Sequence, residues 1–326
     1  MRRRVLLTGA TGFVGKHLVE SLGTRDLEMR ALVRPTSRTE RLKELGVSLV
    51  VGDLRDRAAL ARAVEGVDTI FHLAAVTGLR GDLDFEGAND EGTRNLVAAV
   101  ETSTHRPRRF IYLSSYAACG PMVDGRPRTA SDPPRPLTAY GRTKLAGEEA
   151  VRTLESVGVE TIILRAPAVY GPGDHAFLPY FRLVDHHLAP APTGSGRRIH
   201  LLYVQDLVDA LSRAMDRATG TFPVAGYEVH SWSEITSAIA KALGRRPIRI
   251  PLPARLVRLA ARAAESFGRV SGRNVVLNRE KAEEMLAEGW VCDLTHSGNL
   301  LPPETATNLE DGIANTVHWY RGQGWL

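Results

Sequence analysis

Tyr140 and Lys144 stand four residues apart in Tyr140-Gly141-Arg142-Thr143-Lys144, a spacing that puts both side chains on one face of a helix. A phenol beside a cation can pass a proton to or from an oxygen whose charge changes during a reaction. A free phenol titrates near about 10, and bringing it to about 7 takes roughly 4 kcal/mol of preferential stabilisation of phenolate. A second constellation opens the chain. The apolar run Val5-Leu6-Leu7-Thr8 breaks into Gly9-Ala10-Thr11-Gly12-Phe13-Val14-Gly15, and helix-like Lys16-His17-Leu18-Val19-Glu20 follows at once. A strand, a glycine turn and a helix N-terminus form a pyrophosphate site, because backbone N–H groups converge there and the helix dipole favours anions. Alone, a Y-x-x-x-K pair arises by chance on many helices, and Ser114-Ser115 reads as a loop. Their mutual consistency gives them weight.

With Ser114-Ser115 at the end of the strand-like run Phe110-Ile111-Tyr112-Leu113, these residues resemble the active site of an extended short-chain dehydrogenase/reductase, of the NAD(P)-dependent epimerase/dehydratase superfamily. The G-x-x-G-x-x-G spacing fits that group. The resemblance continues through Gly52-Asp53-Leu54, Phe71-His72-Leu73-Ala74-Ala75, the stretch from Asn89 to Asn95, Leu164-Arg165 to Asp174, and Tyr203-Val204-Gln205-Asp206, nearly the whole chain. It implies that Tyr140 is the acid or base, that Lys144 also hydrogen-bonds a nicotinamide ribose, and that Ser115 holds the substrate oxygen, with Ser114 as the competing position. It implies cofactor contacts at Gly9, Thr11, Gly12, Phe13, Val14 and Gly15, at Asp53 (toward the adenine amino group) and Leu54, at Leu73, Ala74 and Ala75, and at Pro167 and Val169. Core packing is the competing reading of Ala74-Ala75, since alanine is commonly buried.

Cofactor choice is read where the second strand ends. No Asp or Glu occupies Val33 to Thr39, whereas Arg34 is backed by Arg38. An acid there would bind the ribose hydroxyls of NAD, and an arginine can pair with the 2'-phosphate of NADP. NADP(H) is therefore favoured over NAD(H).

The elements that must position these groups follow from apolar periodicity. Strand-like runs at 4–8, Met29 to Val33, Ser48 to Val51, Thr69 to Leu73, Arg109 to Leu113 and Thr161 to Leu164 alternate with helical stretches, which predicts a doubly wound α/β Rossmann sheet with the ligand at the carboxyl ends of the strands. After Arg165 the prolines Pro167, Pro172, Pro179, Pro190 and Pro192 mark loops and breaks. The resemblance makes this region a smaller, discontinuous substrate lobe: 1–166 and about 201–220 form the cofactor domain, and about 167–200 with 221–326 form the lobe. Pro253 to Val270 reads as an amphipathic helix, with Leu256, Leu259, Ala260 and Ala263 on one face and Arg255, Arg258 and Arg262 on another. Such a helix can lie on a membrane surface, but closing an apolar pocket is the blander and favoured reading.

Composition bounds the rest. At 326 residues, 43% apolar and 24% charged, the chain can bury a sizeable core. Its net charge of +5 is read as spread along the sequence, with no aromatic-basic stripe for nucleic acid. Cys119 and Cys292 stand far apart, so a disulfide is not expected, and Cys119 reads as a small buried residue. Met1-Arg2-Arg3-Arg4 leads straight into a strand rather than a signal-peptide core, and the expected compartment is the cytoplasm. No H-x-x-H spacing suggests a metal; His186-His187 reads as a solvated helix segment.

Leu164 to Pro172 is similar to the L-R-P-x-N-V-Y-G-P stretch of nucleotide-sugar epimerases, but Ala168 replaces the asparagine that holds the sugar nucleotide there. Tyr116-Ala117 after Ser115 replace the Asp-Glu pair of sugar-nucleotide dehydratases. The tail, Trp290 to Leu294 and Leu309 to Tyr320, resembles 3β-hydroxysteroid dehydrogenase-like and dihydroflavonol reductase-like proteins. Tyr116, Ala168, Phe177 and Tyr180, with His200 near the mouth, are the expected substrate contacts, and Pro167, Ala168, Phe177, Leu178, Tyr180 and Phe181 would give a largely apolar pocket. The reading is an NADP(H)-dependent ketone reductase or alcohol dehydrogenase for a hydrophobic, cyclic substrate such as a sterol, flavonoid, polyketide or quinolone. A nucleotide-sugar 4-epimerase with tightly bound NAD is the alternative. A non-catalytic cofactor sensor is disfavoured, because Tyr and Lys are both present. The resemblance also implies a homodimer through helices around Glu91 to Glu101 and Tyr140 to Val157.

Overall fold

A computed structural model describes residues 2–77, 84–129, 131–194, 197–217, 219–271 and 278–326. The first part of the chain runs β1 (Arg3–Thr8), α1 (Phe13–Leu22), β2 (Leu27–Val33), α2 (Glu40–Glu44), β3 (Ser48–Val51), α3 (Arg57–Val64), β4 (Thr69–His72), α4 (Gly92–Thr102), β5 (Arg109–Ser115), α5 (Tyr116–Cys119), α6 (Ala139–Arg152) and β6 (Glu160–Ala166). It continues with β7 (Ala168–Tyr170), α7 (Leu178–Asp185), β8 (Leu188–Pro192), β9 (Arg198–Tyr203), α8 (Val204–Ala214), β10 (Gly220–Pro223), β11 (Val229–His230), α9 (Trp232–Leu243), β12 (Ile248–Leu252), α10 (Ala254–Ser271), α11 (Arg279–Leu286), β13 (Gly289–Trp290) and α12 (Leu309–Gly322).

Seven parallel strands form the main sheet in the order β10-β6-β5-β4-β1-β2-β3. A parallel sheet needs cover on both faces, and strand alternation supplies it. Val5, Leu7, Phe71, Ile111 and Leu164 pack with Leu18 and Leu22 of α1 and Leu207 and Leu211 of α8. Leu6, Ile70, Phe110 and Ile163 pack on the other face with Leu60 of α3, Leu96 and Val100 of α4, and Val151 of α6. This is the Rossmann-type α/β fold expected from the sequence. The chain's return to the sheet through α8 reaches Pro223, because β10 adds a seventh strand beside β6.

Beyond Ala166, β7, β9, β11 and β13 make a small second sheet, and β8 pairs with β12. A separate core of Phe181, Val184, Ile235, Ile239, Ile313, Val317 and Tyr320 fills this lobe. Several prolines read as breaks lie inside elements: Pro179 sits in the first turn of α7, where its missing N–H costs nothing, and Pro190 and Pro192 lie in β8 of a two-stranded sheet, where little ladder bonding is lost. His186 and His187 are not helical, since α7 stops at Asp185 and His187 takes a positive φ of 61°. The amphipathic helix does form, but Val257 and Ala261 are its packing residues and Leu256 and Leu259 point outward.

A buried relay joins β1, β4 and α4. Thr8 Oγ1 lies 2.6 Å from His72 Nδ1, and His72 Nε2 lies 2.9 Å from Thr93 Oγ1, which donates to the Asn89 carbonyl. Burial, aided by the charge of Lys144, lowers the His72 pKa to about 3, so the ring stays neutral. A histidine that resists protonation only when folded stabilises the chain fully above its unfolded value near about 6.5, and that contribution drains away as pH falls toward the folded value. Between pH 6.5 and 4 the melting temperature should therefore fall less steeply for His72→Asn than for the parent protein. Equal slopes in a melting series would exclude His72 as the group responsible.

Candidate active site

β1 and β4 are neighbours whose connections leave in opposite directions, and a crevice opens at such a switch point beyond their carboxyl ends. The glycine turn lies there. Gly9 takes a φ of +76°, and a Cβ on it would strike the Leu73–Ala74 backbone. A Cβ on Gly15 would fall on the Gly9 carbonyl oxygen. Only glycine allows both the turn and this close packing. Gly12 caps α1 without a side-chain hydrogen bond, so the first N–H groups of α1 face outward beside an exposed Gly12. Thr11, Phe13 and Val14 are half-buried around it. The cradle fits a pyrophosphate by both its shape and its dipole.

Other expected cofactor residues surround the same sheet edge. Arg34 and Arg38 are exposed beyond the end of β2. Asp53, after β3, accepts the Arg55 N–H at 2.8 Å, and Leu54 packs on Gly92. Leu73, Ala74 and Ala75 follow β4, partly exposed, as are Pro167 and Val169 after β6. Asn89, quoted only as part of a motif in the sequence reading, has a definite task. Its amide accepts from Val76 N–H at 2.7 Å and donates to the Val76 carbonyl at 3.1 Å and to Thr143 Oγ1 at 3.3 Å. It thereby ties the Ala74-Ala75 loop to α6.

Ser115, Tyr140 and Lys144 converge where β5 ends and α6 begins. Thr138 caps α6 through the Gly141 N–H, and the absence of a side chain on Gly141 lets that turn abut the Ala117 carbonyl. The Ser115 hydroxyl lies on the Tyr140 phenol side of the strand end, where it favours phenolate, and accepts the Ala117 N–H at 3.2 Å. Strand alternation sends Ser114 the other way, into the interior, where it donates to Glu148 at 2.6 Å. The serine pair is thus divided between the site and the core.

Burial pushes the Tyr140 phenol up to about 12, against a lowering hydrogen bond from Ser115. This differs from the expectation that Lys144 brings it toward neutrality: desolvation of phenolate, with the negative charge of Glu284, dominates, and Lys144 is not among the groups that shift it. Burial also lowers Lys144 to about 7, opposed by the negative charge of Glu148 one turn on. The Lys144 ammonium stands 4.1 Å from the centre of the Tyr112 ring, a contact that favours its charged form. Tyr112 was legible only as a strand residue. At neutral pH Tyr140 therefore holds its proton, the state needed to protonate an oxygen as negative charge develops on it.

On the substrate side, the ring of Phe85 meets Tyr140 edge-on at 6.2 Å, an apolar contact absent from the sequence reading. Ala168 is exposed. Tyr116 is buried, with its hydroxyl against Cys292 Sγ. His200 is buried beneath it rather than at an open mouth: its Nδ1 accepts the Cys292 N–H at 3.4 Å, and its ring centre lies 6.4 Å from that of Tyr116. Burial, with His230 nearby, lowers His200 to about 4 and keeps it neutral. Phe177 and Tyr180 pack against the lobe core, where Tyr180 bonds Thr236 at 2.6 Å and meets Trp232. Neither is in ring contact with Tyr140, whose ring neighbour is Phe85. Instead α11 reaches the catalytic helix, its Glu280 accepting Ala139 N–H at 2.8 Å and Arg142 at 2.9 Å. Among the described residues no cluster of three or more His, Cys, Asp or Glu side chains could hold a metal ion.

Known proteins are similar to this chain in sequence and fold. The pattern of the NAD dependent epimerase/dehydratase family matches residues 5–225. The chain is 31% identical to a ceramide reductase of Caulobacter vibrioides over 99% of its own length and 96% of the relative's. It is 29% identical to a 4-hydroxy-2-methyl-3-oxo-4-farnesyl-3,4-dihydroquinoline-1-oxide ketoreductase of Stigmatella aurantiaca, covering 91% and 94%. The crystal structure of a Thermus thermophilus UDP-glucose 4-epimerase with NAD superposes with a TM-score of 0.77 at 25% identity, covering 98% and 99% of the two chains. With its glycine cradle, its Ser-Tyr-Lys cluster and relatives along its whole length, the chain belongs to the NAD-dependent epimerase/dehydratase family and is an NAD(P)-dependent enzyme of the extended short-chain dehydrogenase/reductase type.

Proposed function

We propose that the protein is an NADP(H)-dependent ketone reductase, reversible as an alcohol dehydrogenase, acting on a hydrophobic and cyclic substrate. The carrying observation is a proton-bearing Tyr140 held against Ser115 beside an apolar wall, Phe85, with Ala168 offering no polar group to a sugar nucleotide. The nicotinamide, when bound, supplies the hydride to the carbonyl carbon. Ser115 orients the carbonyl oxygen, and Tyr140 gives it the proton that completes the alcohol. Lys144, in its ammonium form, offsets the phenolate left behind. Relatives named as reductases of a ceramide and of a farnesylated quinoline both support a hydrophobic substrate, and the second supports a cyclic one.

Likeness to a UDP-glucose 4-epimerase supports a second reading, in which NAD stays tightly bound. The absorbance of the purified protein, followed by calorimetric titration of the stripped protein with NADPH and NADH, separates the two. Tightly retained NAD would displace the reductase reading. Within that reading Arg34 holds the 2'-phosphate with Arg38 behind it. A charged hydrogen bond is worth about 1.5–3 kcal/mol, so Arg34→Glu should weaken NADPH about 10- to 100-fold and leave NADH nearly unchanged. Equal losses for both cofactors would remove Arg34 from the phosphate. The same proposal includes a homodimer through α4 and α6, to be checked by sedimentation, and a reducing compartment, the cytoplasm, which suits two buried free cysteines.

A further inference from the structure

At about 100° per residue, α10 divides into three faces. Val257 and Ala261 pack on Leu252, Ala282 and Leu286. Arg255, Arg258 and Arg262 form a second stripe. Leu256, Leu259, Ala260, Ala263 and Phe267 form a third, and it meets water: Leu256 is 50%, Leu259 62% and Phe267 57% exposed. The strand leading into the helix adds Ile248, 68% exposed beside its partner Leu188 at 38%. An apolar surface of this kind marks a site of contact.

Charge identifies the occupant. Between Leu243 and Glu265 the chain has six arginines and no acidic residue, a charge of +6 in a protein whose total is +5. The net charge expected to be spread along the sequence is concentrated here. Arg258 is matched by Glu283 of α11 at 2.7 Å and Arg245 by Asp185 at 3.0 Å, while Glu265 is taken by Arg279 at 3.2 Å. Arg255 and Arg262, both exposed, keep the flank of α10 positive, with Glu283 near Arg262. A second copy of the chain is a poor occupant, since a two-fold interface would set this positive face against itself. No helix among the described residues is long and apolar enough to cross a membrane, so contact with lipid would lie along the surface.

We propose that α10 docks the protein on the surface of an anionic lipid bilayer. Leu256, Leu259 and Phe267 enter the boundary between headgroups and acyl chains, and Arg255 and Arg262 meet lipid phosphates along the helix flank. The docked face is one helix away from the chemistry, because α10 packs on α11 and α11 holds the start of α6 through Glu280. A substrate dissolved in the bilayer would leave it close to Tyr140.

Flotation of the purified protein with vesicles of phosphatidylcholine, alone or mixed with phosphatidylglycerol, tests this. The expected result is at least about tenfold stronger partition to the anionic vesicles, falling as salt is raised. Leu259→Glu/Phe267→Glu should lower that partition more than about tenfold, and Arg255→Glu/Arg262→Glu should remove the anionic preference. Both pairs are exposed, so unchanged melting temperatures are expected to show intact folds. Absence of binding to anionic vesicles would overturn the proposal, as would equal binding by the Leu259→Glu/Phe267→Glu variant. Self-association or acidic-protein binding lost in that variant without vesicle binding would do the same. The assay needs neither cofactor nor substrate, so its failure leaves the reductase reading untouched.

Discussion

Tyr140→Phe should lower kcat for carbonyl reduction by about 10²–10⁴-fold, the usual worth of a positioned general acid, while NADPH binding changes little. The phenol ring stays in place, so its edge contact with Phe85 and the packing of α6 on α5 survive. What disappears is the phenolic proton beside Ser115. The effect should fall on kcat rather than on KM, because the proton transfer matters as charge develops in the transition state. Steady-state oxidation of NADPH with a ketone substrate reads this, and calorimetry reads the cofactor affinity. A kcat within a few-fold of the parent would take Tyr140 out of the mechanism and leave water or Ser115 as the proton source.

Glu148→Gln should destabilise the fold by about 3–5 kcal/mol, the usual cost of breaking a buried ion pair, or a fall in melting temperature of roughly 10 °C. Glu148 is fully buried and accepts two bonds from Arg165 at 2.9 and 2.7 Å, one from Ser114 at 2.6 Å and one from Arg152 at 3.0 Å. Burial by itself would raise its carboxyl pKa, but Arg165, with Ser114 and Arg152, holds it below the ordinary value. A carboxylate of depressed pKa stabilises the fold above its unfolded value, and that stability is lost as pH falls. Its removal leaves the buried guanidinium of Arg165 without a counter-charge. The double variant Glu148→Gln/Arg165→Met should therefore be more stable than Glu148→Gln alone. Melting curves of the three proteins decide this, and a Glu148→Gln fall of under about 2 °C would contradict it. The same change removes the charge that supports the Lys144 ammonium, so Lys144 should titrate lower still.

The main strands, the glycine turn and the Tyr140–Lys144 pair were legible in the sequence for one reason: each is written locally. Apolar runs define β1, β2 and β4, the first ending directly in Gly9, and one helical turn joins Tyr140 to Lys144. Sequence order also brought the epimerase-type stretch Leu164 to Pro172 next to the end of β6, where Ala168 stands exposed. The short strand β10 and the prolines within α7 and β8 escaped, because pairing partners and edge positions are not encoded in a local pattern.

Strand alternation parts the two serines, but only the tertiary structure, which sets Glu148 beneath β5, decided that Ser114 is the one that points inward. The neutral His72 relay, the Tyr112 ring under Lys144 and the Glu280 carboxylate on α6 likewise depend on contacts between residues far apart in sequence. Phe177 and Tyr180 were apolar in sequence but went to the lobe core, and the leucine stripe of α10 went to the surface. Periodicity says that a helix has an apolar face; which face meets a neighbour is fixed by the shape of what packs beside it.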